Sequence, residues 1–125
     1  MRGLADKRVL VIEDEYIIAL NLASELADRG AVVIGPVGNM ESALDAIKNT
    51  DLDGAILDIN LMGRVAFPVA DALADRRVPF VFATGCEISD GLPARHANVR
   101  RLEKPTPPDV VCDALEAAIA AHSKD

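Results

Sequence analysis

Five side chains, far apart in the sequence, carry the chemistry that this chain can do: Glu13 and Asp14, Asp58, Thr84 and Lys104. Each stands at the end of a short apolar run. In an open parallel sheet the carboxyl ends of the strands share one edge, where ligands gather at the switch in strand order, so these residues are expected to converge. Three ionised carboxylates about 5 Å apart would repel by roughly 3 kcal/mol per pair at an effective dielectric near 20, and such a pocket needs positive charge. Lys104 supplies one charge. A hard divalent cation with oxygen ligands supplies the rest, and Mg2+ suits one or two carboxylates together with phosphate oxygens. With Mg2+ held mainly by Asp14 and Asp58 and supported by Glu13, one Asp58 oxygen is free to attack a phosphoryl group and form an acyl phosphate. The Thr84 hydroxyl and Lys104 ammonium can then meet the about −1.5 to −2 charges so added, which makes a covalent switch.

The elements that would position these residues alternate between apolar runs and amphipathic stretches five times, the pattern of a doubly wound α/β fold. The expected strands are Val9 to Ile12, Val32 to Val37, Gly54 to Leu57, Phe80 to Thr84 and Val99 to Glu103. Helices are expected from about Glu15 to Arg29, Glu41 to Lys48 and Pro68 to Arg76 or Arg77, the first stopped by Gly30. Gly91 and Pro93 predict a short or poorly ordered helix within Glu87 to Asn98. A last helix is expected to begin with Thr106 as N-cap and Pro107 in its first turn, burying Val111, Leu115, Ala118 and Ile119. The continuous apolar character of the third strand predicts a central position.

At 125 residues and 50% apolar content the chain is expected to fold as one domain without disulfide staples. Thirteen basic against 20 acidic residues leave a net charge of −7 with no basic cluster, which argues against a nucleic-acid surface. No apolar run approaches the ~18 residues of a membrane span and no secretory signal is evident, so a cytoplasmic protein is expected. Cys86, Cys112, His96 and His122 show no close-spaced ligand pair; Cys112 reads as core packing, and Cys86, beside the site, could serve a redox role.

From about Asp6 to His122 the chain resembles a response regulator receiver domain. The resemblance rests on Glu13 and Asp14, then Asp58, Thr84, and Lys104 followed by Pro105, in this order and each after a strand. It implies a five-stranded, flavodoxin-like parallel sheet of order 2-1-3-4-5, with no output domain beyond residues 6–122. It implies Asp58 as phospho-acceptor, Glu13, Asp14, Asp58 and the backbone carbonyl of Asn60 as magnesium ligands, Thr84 as switch hydroxyl, Lys104 as phosphoryl contact, and a cis peptide between Lys104 and Pro105. The implied partners are a histidine kinase or a histidine phosphotransfer protein, docking at the first helix near Tyr16 and at the loop from Pro105 to Pro108. A signalling protein rather than an enzyme follows, with self-phosphorylation from a phosphodonor and slow autodephosphorylation. Pro79 to Gly85 further resembles the FAT GUY group of single-domain receivers. The chain departs from these patterns in Cys86 and Glu87, in Arg101 where most receivers carry an aromatic three positions before the lysine, and in Met62 where many carry proline. Arg101 puts the usual threonine–aromatic coupling aside, and Met62 predicts a looser loop after the third strand.

Each residue also has an ordinary reading. Asp14 could be only a helix N-cap, Asp58 a turn residue, Thr84 a buried β-branched residue, Lys104 a solvated strand end and Arg76 with Arg77 a solvated helix end. Three other functions use related residues. A phosphatase of the haloacid dehalogenase type needs a second acid two residues after its aspartate, where this chain has Asn60. A flavodoxin-like cofactor binder needs a phosphate loop where Glu13 and Asp14 stand. A degenerate receiver, acting as a constitutive interaction module, would not need the full set.

Overall fold

The computed structural model describes residues 3–85 and 92–123. In chain order the elements are β1 (Arg8–Ile12), α1 (Tyr16–Asp28), β2 (Val32–Val37), α2 (Met40–Asn49), β3 (Gly54–Leu57), the short strands β4 (Asn60–Leu61) and β5 (Arg64–Val65), α3 (Phe67–Asp75), β6 (Phe80–Thr84), a 3-10 turn at Ala94–His96, β7 (Arg101–Glu103) and α4 (Pro108–Ser123). The main sheet is parallel, in the order β2-β1-β3-β6-β7. This is the expected 2-1-3-4-5 order, with the antiparallel β4–β5 hairpin intervening in the numbering.

Alternation along the strands builds two cores. Val9, Val11, Ile56 and Val81 join Leu22 and Leu26 of α1 and Val111, Leu115 and Ile119 of α4 on one face. Leu10, Ile12, Leu57 and Phe82 join Met40 and Ile47 of α2 and Val69 and Leu73 of α3 on the other. β3 and β6 are buried at every residue, as strands covered on both faces must be. Cys112 lies in the α1–α4 core, fully buried, and burial pushes its thiol up to about 12.

Three local expectations are corrected. The loop after β3 is an ordered hairpin: Met62 and Gly63 both take positive φ, 53° and 82°, as a two-residue turn between right-twisted strands requires. Thr106 does not cap α4, because its hydroxyl donates to the Glu103 carbonyl; the Pro107 carbonyl accepts from Val110 and Val111, and the helix starts at Pro108. Arg76 is not merely solvated, since its guanidinium donates to the carbonyls of Ile47 and Lys48 at the end of α2. Of the helix expected within Glu87 to Asn98, the described part is the 3-10 turn, initiated by Pro93, whose carbonyl accepts the His96 N–H. Residues 86–91, Cys86 and Glu87 included, lie outside the described residues. His96 is buried edge-on against Phe80 and Phe82, with its Nε2 2.7 Å from Asp71 Oδ1.

Arg29 ties α1 to α4. Its guanidinium donates to Glu25, Asp113 and Glu116 at 2.9 Å each and to the Asp109 carbonyl at 3.0 Å. Arg29→Ala should lower the unfolding free energy by about 1–3 kcal/mol, read from urea melts, because charge-assisted bonds are lost and three acids are left adjacent. Arg29→Lys should recover only part of the loss, since an ammonium lacks the planar fork.

Candidate functional site

The site begins with a bulge in β2. Pairing with β1 runs Leu10↔Ile34 and then Ile12↔Val37, so β2 carries one extra residue. Gly35 accommodates it at φ +89°, where a Cβ would fall 2.8 Å from the Val37 nitrogen. The bulge presents the Val37 carbonyl to the Glu13 N–H at 2.9 Å, which holds the chain in register one residue past β1. In the same way the Asp58 N–H donates to the Ile12 carbonyl at 2.9 Å and the Lys104 N–H to the Thr84 carbonyl at 3.0 Å. Backbone pairing therefore continues beyond the strand ends and carries three charged side chains to one edge. The Lys104–Pro105 peptide is cis, as the resemblance implies.

The side chains meet around one ammonium. Lys104 Nζ lies 2.8 Å from Glu13 Oε1, 2.8 Å from Asp58 Oδ2 and 2.8 Å from Glu15 Oε1. Glu13 and Asp58 are 3% and 4% exposed. The other oxygen of Asp58 accepts the Asn60 N–H at 3.1 Å, and Glu13 Oε2 accepts the Glu15 N–H at 3.0 Å. Asp14 faces the hairpin, where Oδ2 accepts the Met62 N–H at 2.8 Å; Asn60 Oδ1 accepts the Gly63 N–H at 2.9 Å. Asp14, Glu15, Asp58, Asn60, Gly85 and Lys104 line an open cleft of about 400 Å³. Thr84 ends β6 at the same edge, 1% exposed, and is not among the cleft's described lining residues.

Asp14 is not the N-cap of α1. That position belongs to Glu15, whose side chain makes no capping bond and reaches Lys104 instead. Glu15, expected only as the start of α1, and the Met62 N–H are site groups that the sequence does not single out. The backbone at Glu15 is extended (φ −85°, ψ 109°), and in extended chain residues two apart fall on the same side, so Glu13 and Glu15 share Lys104.

One oxygen atom from each of Glu13, Asp14, Glu15 and Asp58 can be chosen so that all lie within 4.8 Å of one another. Four carboxylates against one ammonium leave excess negative charge, and an all-oxygen donor set of this size fits a hard divalent cation. Burial, aided by the charge of Asp58, outweighs the bonds from Lys104 and the Glu15 N–H and raises the Glu13 carboxyl from its ordinary value near 4.5 to about 7. Burial also opposes the charge on Lys104, but its bonds to Asp58, Glu13 and Glu15 prevail and raise its pKa above the ordinary lysine value.

The Glu13 shift has a signed consequence. Between about pH 4.5 and 7 the folded chain binds a proton that the unfolded chain has released, so this group's contribution to stability falls as pH rises through that window. Urea melts in chelator at pH 5 and pH 8 should show wild type losing stability toward pH 8 relative to Glu13→Gln, which lacks the ionisation.

No family model matches the chain. It is 38% identical to SdrG from Sphingomonas melonis Fr1, whose solution structure aligns over 96% of this chain and 99% of that one with a TM-score of 0.77. A response regulator receiver protein from Sinorhizobium medicae WSM419 is 26% identical, with 94% and 97% covered and a TM-score of 0.79. PdtaR, a transcriptional regulatory protein of Mycobacterium tuberculosis, is 30% identical over 79 residues, 62% of this chain, and this match spans 38% of PdtaR's length. The strand order, the full-length likeness to SdrG and the likeness to a named receiver agree: the chain belongs to the CheY-like response regulator receiver domains.

Proposed function

We propose that Asp58 accepts a phosphoryl group from a histidine kinase or a histidine phosphotransfer protein, and that the modified domain changes its protein contacts. The observation that carries this is the state of the Asp58 carboxylate. It is 4% exposed yet lines an open cleft, with one oxygen on Lys104 Nζ and the other on the Asn60 N–H. A carboxylate so oriented can present an oxygen to phosphorus in line with a leaving group. The Asp58 oxygen forms the new P–O bond, the P–N bond of a phosphohistidine breaks, and the departing imidazole keeps the electron pair. Lys104 offsets charge on the transferring oxygens, and Thr84 would donate its hydroxyl to the product. Asp14 and Asp58, with Glu13 and the Asn60 carbonyl, would hold Mg2+, which when bound neutralises charge on the phosphoryl oxygens.

Residues 6–122 act in this reading as a cytoplasmic receiver, in the manner of the FAT GUY group that Pro79 to Gly85 resembles. It signals in a two-component system or phosphorelay. Its chemistry is limited to self-phosphorylation from a donor and slow loss of the phosphoryl group. Docking falls on α1, where Tyr16 and Ile17 are 72% and 67% exposed, and on the adjacent Pro105 to Pro108 loop. The residue two beyond Asp58 is Asn60, which cannot act as the general acid of a haloacid dehalogenase-type phosphatase.

Phosphoramidate or acetyl phosphate with Mg2+ should add one phosphoryl group by intact mass, and Asp58→Asn should abolish the addition. Lys104→Ala should prolong the lifetime of the labelled form. Labelling that persists in Asp58→Asn would remove Asp58 as the acceptor.

A further inference from the structure

Lys104 Nζ has three protons to donate, and three carboxylates take them. If Asp58 accepts a phosphoryl group, as proposed above, the product brings further acceptor oxygens and about −1.5 to −2 charges. Modification turns the Asp58 carboxylate into a neutral acyl group, which frees one Lys104 proton; Lys104 can meet a second phosphoryl oxygen only by releasing Glu13 or Glu15, and these are unequal. The side chain of Glu13 is 1% exposed, whereas that of Glu15 is 61% exposed. Stranding a buried carboxylate without its cation is costly; returning an exposed one to water costs little. Among the described residues the Glu15 carboxylate has no hydrogen-bond partner but Lys104.

Glu15 also sits where its release would be felt. It is the N-cap residue of α1, directly before the exposed Tyr16 and Ile17. Arg101, in the position where receivers usually carry a reporting aromatic, is an exposed residue of the edge strand β7.

We propose that Glu15 is a displaceable clamp on Lys104: it holds the ammonium in the unmodified site, cedes that hydrogen bond to the phosphoryl oxygens when Asp58 is modified, and thereby shifts the first turn of α1 with Tyr16 and Ile17. Glu15 is thus a positioning residue, acting through Lys104. The inference rests on phosphoryl acceptance by Asp58.

The test compares wild type, Glu15→Gln, Lys104→Met and the double variant in phosphoramidate and saturating Mg2+, with the Glu15 carboxyl carbon followed by NMR. Loss of an exposed ion pair should speed labelling of Glu15→Gln about two- to fivefold and have no effect in the Lys104→Met background. The Glu15 carboxyl signal should move on labelling of wild type toward its position in unlabelled Lys104→Met. An unchanged rate, equal acceleration in the Lys104→Met background, or a carboxyl signal that labelling leaves in place would overturn the clamp. Wild type that takes no label would instead overturn the acceptor reading; a Glu15 signal identical in unlabelled wild type and Lys104→Met would then dispose of the clamp as well.

Discussion

Everything at the functional edge depends on one half-buried ammonium. Glu13 and Asp58 are carboxylates that the fold removes from water, and without Lys104 each would be an unpaired charge in a poorly solvated place. With it, the three strand ends β1, β3 and β7 are joined by side-chain bonds of 2.8 Å as well as by their backbone ladders. The pairing is not electrically complete: burial still raises the Glu13 carboxyl, and the acids outnumber the cation. The site is therefore held together by one positive charge and remains receptive to a second.

The sheet order makes this arrangement possible. Placing β1 and β3 side by side puts Glu13 and Asp58 at neighbouring strand ends, and β7 brings Lys104 back across β6. Small backbone features then set the side chains. The bulge at Gly35 lets Val37 hold Glu13, the hairpin lets Met62 hold Asp14, and the Asn60 N–H steadies Asp58. None of these groups does chemistry, yet each fixes an oxygen that could.

Strand-length apolar runs ending in charged residues make the architecture and the convergence of Glu13, Asp58 and Lys104 legible in the sequence. The five strands and four long helices lie within about two residues of where periodicity and breakers placed them. What escaped was of two kinds. Backbone donors such as the Met62 N–H have no side-chain signature, and the ordered hairpin arises from positive φ at a methionine, which turn chemistry alone would not choose. Thr106 is expected as a cap because local rules assign a hydroxyl near a helix start to capping, whereas the Glu103 carbonyl competes for it; Glu15 pairs with a lysine distant in sequence, which no local rule indicates.

The bulge at Gly35 and Pro36 has a bearing on self-association as well. β2 is an outer strand of the sheet, and proline there has no N–H to offer while the bulge breaks the regular spacing that an incoming chain would need to pair with. The opposite border, β7, is only three residues long and exposes Arg101 and Glu103. Both rims thus discourage edge-to-edge accretion, so a continuous apolar sheet lies at the centre of the domain without a regular open border on which another strand could build.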